Sequence, residues 1–166
     1  MTFADIPQNV AVFVDANTFV YHFSLHPVFA PACTQLLDHI ARQEYLGFTS
    51  ADVLSDVAHR LMAFEASIVL GWTGPGLTQR LRRHPAEIQK LSRFRQGVQQ
   101  IPAFGIQVLP ITSALVEAGT AVSQRIGLLS GDALIVAAMQ AYGLSHLASH
   151  DTDFDRVPGL TRYAPV

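Results

Sequence analysis

The sequence predicts an α/β fold: one domain over residues 1–166, with a central, mostly parallel sheet of four to five strands flanked by helices. Three observations predict it. The run "NVAVFVDAN" (9–17) is continuously apolar and rich in Val and Phe, the pattern of a strand buried on both faces in a parallel sheet. Strand-like and helix-like patterns then alternate along the chain. The composition, 49% hydrophobic and 14% charged, suits one packed core, and no repeat, low-complexity segment or linker marks a second domain.

The elements follow in order. After the first strand, residues 18–25 form a short helix stopped near Pro27. "APACTQLLDHIARQEY" (30–45) carries Leu36, Leu37, Ile40 and Ala41 at helical spacing, with Gly47 as its stop. "FTSADVLSDVAHRLMAFEASIVLG" (48–71) is the clearest helix. Thr49 or Ser50 can cap it, and Asp52 lies in its first turn, where the helix dipole favours an anion. Val53, Leu54, Val57, Leu61, Phe64 and Ile68 make its apolar stripe. Gly71, Gly74, Pro75 and Gly76 break the pattern, and 77–100 is a polar, basic helical stretch interrupted at Pro85. "FGIQVLPI" (104–111) is the second strand. A helix over 112–126 follows, capped by Thr112 or Ser113. Another over 128–143 is capped by Ser130 and apolar on most faces. "LSHLAS" (144–149) is the third strand, and "LTRYAP" (160–165) a candidate fourth.

Bulk properties exclude several classes. A formal net charge of −2 gives no overall attraction to nucleic acid, although Arg80, Arg82, Arg83, Lys90, Arg93 and Arg95 are six of the eleven basic residues. The single cysteine, Cys33, cannot form an intrachain disulfide and reads as a packed small hydrophobe. The N-terminal segment lacks the basic, apolar pattern of a signal peptide, and no apolar run reaches the ~18 residues of a membrane span. The expectation is a soluble cytoplasmic protein with no membrane partner. The seven His are scattered without HExxH, which disfavours zinc, and neither GxGxxG nor a Walker motif occurs.

The acids are placed more tellingly. Asp15 ends the first strand and Asp151 follows the third. Asp132 lies in the first turn of the helix at 128–143, and Asp56 one turn into the helix at 48–71. Each has an ordinary explanation: a turn, a helix dipole, or an Asp56–Arg60 pair at i,i+4. Together they favour one edge of a parallel sheet, where ligands bind beyond the strand ends. Carboxylates gathered there repel, by about 4 kcal/mol for a pair ~4 Å apart at an effective dielectric of 20. They must take up protons or a cation. An oxygen-only set suits Mg²⁺ or Mn²⁺. Such an ion commonly works on phosphate, polarising phosphorus and lowering the pKa of water.

Four segments carry a resemblance to the PIN-domain family, and within it to the VapC-type toxin ribonucleases: "VFVDANTFVY", "TSADVLSDVAHRL", "LLSGDALIVAAM" and "LASHDTDFDRVPGL". They come in the family's order over nearly the whole chain. The resemblance implies a parallel sheet flanked by helices and metal-dependent cleavage of single-stranded or structured RNA. It also implies Mg²⁺ or Mn²⁺ as cofactor, a cognate antitoxin and a homodimer. Asp15, Asp56, Asp132 and Asp151 match the four acids, with Asn17 and Ser149 in support. Asp153 is second choice to Asp151 as the fourth acid and a further metal ligand, and Asp155 reads as surface. Asp56 departs from the family pattern, which has Glu there, one methylene longer. The basic stretch then reads as an RNA-backbone clamp or as a solvated helical face, with Phe94 and Trp72 packed inward. A catalytically silent PIN-like domain, acting through protein or RNA binding, is the alternative. A haloacid-dehalogenase-like phosphatase is disfavoured, because Asn17 replaces its second Asp and the only lysine is Lys90.

Overall fold

A computed structural model describes residues 1–166. Five short strands form one all-parallel sheet: β1 (Ala11–Val14), β2 (Leu46–Ser50), β3 (Gln107–Leu109), β4 (His146–Ala148) and β5 (Thr161–Tyr163). Their order across the sheet is β3-β2-β1-β4-β5. The chain lays β2 and β3 on one side of β1, then crosses back to add β4 and β5 on the other. β1 and β4 therefore flank the point where strand order reverses, and a crevice opens beyond their C-terminal ends.

Eight helices pack around the sheet: α1 (Ala16–Phe23), α2 (Ala30–Ala41), α3 (Ala51–Val69), α4 (Leu77–Arg83), α5 (Pro85–Ile88), α6 (Arg93–Gln100), α7 (Ser113–Ile126) and α8 (Ser130–Ala141). Val12, Phe13, Val14, Leu147 and Ala148 are fully buried, as a strand covered on both faces requires. Phe19, Leu36, Leu37, Ile40, Val57 and Met139 cover them from the helices. Cys33 is wholly buried and burial pushes its thiol up to about 12, in keeping with its reading as a packed hydrophobe.

The structure corrects the sequence reading in several places. Residues 46–50 form β2, where only a helix stop and a helix start were expected. Gly47 is not a helix stop. A Cβ there would lie 2.5 Å from Ile40 Cγ2 and 3.0 Å from Ile106 Cγ1, so the glycine lets α2 approach the sheet. The helical stretch expected over 77–100 breaks at His84, beside the interruption expected at Pro85, and again at Gln89–Ser92, which leaves three pieces, α4, α5 and α6. The strand expected over 104–111 shrinks to 107–109 behind a 3-10 turn at Ile101–Phe104. Ser130 is the first residue of α8, which Leu129 precedes as cap. Thr112 does cap α7, accepting from Leu115 N–H at 3.3 Å.

The stripe of α3 also divides. Val53, Val57 and Leu61 are buried, but Phe64 and Ile68 are exposed. In the second half of the helix Glu65 and Ala66 face inward. Glu65 accepts the backbone N–H of Ser92 (2.9 Å) and of Phe94 (3.2 Å), tying α6 to α3. Around Ala66, Leu81 and Leu91 a small satellite core forms, with Trp72 and Phe94 against it. Both aromatics pack as expected, and Arg80 lies over the Trp72 ring at 4.0 Å.

Candidate functional site

The crevice beyond β1 and β4 is built on one buried network. Asp15 follows β1 directly and is the N-cap of α1: its Oδ1 accepts the Ala16 N–H at 2.6 Å. Its Oδ2 accepts from the Asn17 side-chain amide and from Ser149 Oγ at 2.7 Å. Ser149 Oγ in turn accepts from Asn17 Nδ2 and from the Asp151 N–H, both at 3.0 Å. Asn17 Oδ1 accepts the His150 N–H, also at 3.0 Å. Asp15, Asn17 and Ser149 are buried, and each polar group is satisfied. The network joins the end of β1 to the end of β4 and fixes where Asp151 begins. Ser149 therefore orients the Asp15 carboxylate.

Three acids gather at the mouth of this network. Carboxylate oxygens of Asp132, Asp151 and Asp153 all lie within 4.8 Å of one another. Asp132 comes from the first turn of α8. Asp151 caps the 3-10 turn Thr152–Arg156 by accepting the Asp153 N–H at 2.8 Å. Two unit charges at 4.8 Å repel by about 3.5 kcal/mol at an effective dielectric of 20. The strain shows at Asp132, pushed up to about 6 by burial first, then by Asp151, Asp15, Asp153 and Asp56. Asp15 is also raised, chiefly by burial, although the Ser149 and Ala16 hydrogen bonds and the Arg60 charge oppose this.

The predicted residues thus fall into different positions. Asp132, Asp151 and Asp153 come together, so both candidates for the fourth acid are present. Asp15 lies outside this closest group, its oxygens engaged in hydrogen bonds, but its charge reaches Asp132. Asp56 is half exposed and pairs with Arg60 (3.6 Å), the ordinary i,i+4 arrangement. Its charge still bears on both Asp15 and Asp132. Asp153 also pairs with Arg156, and Asp155 is held by Arg162 at 2.7 Å, away from the group, as its surface reading implied. The six basic residues at 80–95 are all exposed. A hard oxygen-only set with one carboxyl raised by its neighbours is chemistry that fits a divalent cation of the Mg²⁺ type.

Two residues at the site escaped the sequence reading. A cleft of about 410 Å³ runs between α3 and the α7–α8 pair, lined by Asp52 and Asp56 on one wall and Asp132 on the other. Asp52, whose carboxylate accepts from Ser50 Oγ, belongs to this cleft. Arg60 is a cation inside the field of the acids. The spacing Asp52, Asp56, Arg60, each one turn apart on α3, was the available signal. A second groove, of about 220 Å³ between α3 and α6, is lined by Phe23, Leu61, Phe64 and Ile68 and holds none of the clustered acids.

Fold and site define an α/β protein with an acid-lined crevice at the switch point of a parallel sheet. The PIN domain model matches residues 12–160, and the chain belongs to the PIN-domain family. Among solved structures it is similar to VapBC2 from Rickettsia felis bound to a DNA fragment from their promoter. That match has a TM-score of 0.60 and 14% identity, over 94% of this chain and 99% of that one. It is also similar to a toxin-antitoxin complex from Klebsiella pneumoniae, with a TM-score of 0.50 and 16% identity, over 90% and 95% of the two chains. A third similarity is to PAE2754 from Pyrobaculum aerophilum, with a TM-score of 0.52 and 15% identity, over 93% and 91%. At these identities the likeness is one of fold. No curated protein matches the sequence. No single helix is long and apolar enough to cross a membrane.

Proposed function

We propose that this protein is a Mg²⁺- or Mn²⁺-dependent endoribonuclease that cuts single-stranded RNA, and that it is the toxin of a toxin-antitoxin pair. The observation that carries the reading is the convergence of Asp132, Asp151 and Asp153 within 4.8 Å beside the buried Asp15. Family membership supports nuclease chemistry. The toxin assignment, the antitoxin partner and a homodimer are carried over from the VapC-type resemblance, and two of the similar folds are toxin-antitoxin assemblies.

Asp132, Asp151 and Asp153 would hold the cation, and Asp15 would complete its field from the floor of the crevice. When bound, the ion supplies positive charge at phosphate oxygens and acidifies water. The chain's own contributions are distinct. Ser149 and Asn17 hold Asp15 in one orientation. Asp132, raised by burial and by four neighbouring carboxylates, is the acid a bound cation would relieve most. Arg60 supplies a guanidinium that can pair with a phosphate oxygen. The exposed Arg80, Arg82, Arg83, Lys90, Arg93 and Arg95 would add salt-sensitive attraction for the RNA backbone.

Purified protein on a defined single-stranded RNA, with Mn²⁺ or with EDTA, tests the reaction class. Asp15→Asn is expected to abolish cleavage with the fold retained, and cleavage at the parental rate would overturn the assignment. A second reading, a silent domain acting through binding, draws on one observation: Asp56 pairs with Arg60 instead of joining the acid group. It requires that no Mn²⁺ dependence appear in any assay.

A further inference from the structure

The acids share their edge of the sheet with a group of aromatic rings. His150 lies between two fixed points: its N–H donates to Asn17 Oδ1, and the next N–H donates to Ser149 Oγ. Its exposed imidazole packs on Phe29, with centroids 4.5 Å apart, and edge-on to Tyr21 at 5.9 Å. Tyr21 and Phe29 are 5.1 Å apart, and His26 stacks on Phe29 at 4.9 Å and 14°. His26 Nδ1 also accepts the N–H groups of Val28 and Phe29, both at 3.3 Å, which holds the loop that carries Phe29.

This surface is continuous with the acid pocket through α1. Asp15 caps that helix, Asn17 is in its first turn, and Tyr21 is one turn further on. The Tyr21 hydroxyl lies in the fields of both Arg60 and Asp15. Tyr21 and Phe29 rest their inner edges on the core, yet both stay partly open to solvent. Folding gives little reason to leave four rings half in water.

We propose that Tyr21, Phe29 and His150 form a stacking subsite for one unpaired base of the single-stranded RNA whose backbone crosses the acids. The inference rests on the nuclease reading and names how that site takes its substrate. Every base has a π face, so stacking accepts any sequence, but it needs a base free of a partner strand. Stacking is also indifferent to the repulsion between phosphate and carboxylate, so it supplies affinity where the local charge opposes it.

The test is a binding cycle by fluorescence anisotropy, with Ca²⁺ in place of Mn²⁺. Wild type, Phe29→Leu, His150→Ala and His150→Phe are titrated with a labelled single-stranded RNA and with a set of the same RNA carrying one abasic ribose each. For the wild type, one abasic position weakens binding about tenfold, within the range of a single stacked base. His150→Ala loses about as much on the intact RNA, is indifferent to that abasic position, and is rescued by His150→Phe. Losses that multiply, variants that bind the intact RNA as tightly as wild type, or a wild type that does not bind it overturn the subsite. Cleavage with Mn²⁺, run in parallel, tests the nuclease reading separately. Protein with the binding pattern that never cuts keeps the subsite and loses the nuclease. Protein that cuts without the pattern does the reverse.

Discussion

Asp132→Asn should make the metal-free protein more stable at neutral pH while removing a proposed ligand. The carboxyl of Asp132 is raised from an ordinary 3.8 to about 6 in the fold. The native state thus binds a proton more tightly than the unfolded chain, so stability falls as pH rises through that window and the penalty is complete above it. At 1.36 kcal/mol per tenfold change in proton affinity the full penalty is about 3 kcal/mol. Asp132 is only partly buried, and solvent screening reduces this to roughly 1.5 kcal/mol. Asparagine also gives up about 0.5 kcal/mol of favourable interaction with the N-terminus of α8. Burial and the repulsion together outweigh this, and the net gain at pH 7.5 is about 1 kcal/mol, or roughly 2–4 °C in Tm for a chain of this size. Near pH 5 the wild-type carboxyl is largely protonated, so the gain should shrink into the lost dipole interaction. Thermal melts by circular dichroism in EDTA at the two pH values read this directly. Millimolar Mn²⁺ should then raise the wild type more than the variant. A variant that melts at or below wild type at pH 7.5 in EDTA would refute the picture of a carboxylate penalised by burial and by its acidic neighbours.

Three further outcomes are expected. Gly47→Ala drives a Cβ into Ile40 and should cost about 1–3 kcal/mol in urea unfolding; a neutral result would mean that α2 lifts from the sheet freely. Glu65→Ala leaves the Ser92 and Phe94 N–H groups without their acceptor, at about 1 kcal/mol for each of these partly buried hydrogen bonds. It should speed proteolysis between residues 70 and 92, and unchanged cleavage kinetics would argue against Glu65 as the tie. Arg60→Gln removes the cation that pairs with Asp56 and whose charge also reaches Asp15. Calorimetric titration should show tighter Mn²⁺ binding and weaker RNA binding, whereas both moving together would place Arg60 outside the site.

Much of the fold was legible because its signals are local. The run around Phe13, the first half of the α3 stripe, the Thr112 cap of α7 and the apolar length of α8 each report on their own segment. β2 was not legible for an equally physical reason. Its five residues include Gly47, and glycine in sequence reads as a stop, whereas here it is demanded by Ile40 and Ile106, which arrive from elsewhere in the chain. The division of α3 was hidden in the same way. Phe64 and Ile68 continue the helical period, but their side of the helix has no sheet beneath it, while Glu65 is buried by the N-terminus of α6. The acids at the strand ends were legible as a set, because parallel strands send their C-terminal residues to one edge. Which of them would touch was not. That depends on the turn after β4, where Asp151 accepts the Asp153 N–H and so brings both carboxylates toward Asp132.

The crevice is costly to the fold, and that is the best reason to assign it a role. An aspartate in a turn can repay its place by capping, and Asp151 does so. Asp132 gains nothing comparable: it makes no hydrogen bond that offsets burial, and four other carboxylates raise its proton affinity. Asp15 is fully supplied with donors yet still raised, because desolvation outweighs the Ser149 and Ala16 hydrogen bonds and the Arg60 charge. Cations were at hand to neutralise the group. Arg60 is turned to Asp56, Arg156 to Asp153 and Arg162 to Asp155, so one member of the acid group is paired and none of these cations pairs with Asp132. A chain selected for stability alone would give Asp132 a cation as it has given one to Asp153. Leaving the most strained carboxylate without a cationic partner makes sense when a divalent ion completes the arrangement. The same open centre explains why the stabilising change at Asp132 should also be the one that weakens Mn²⁺ binding.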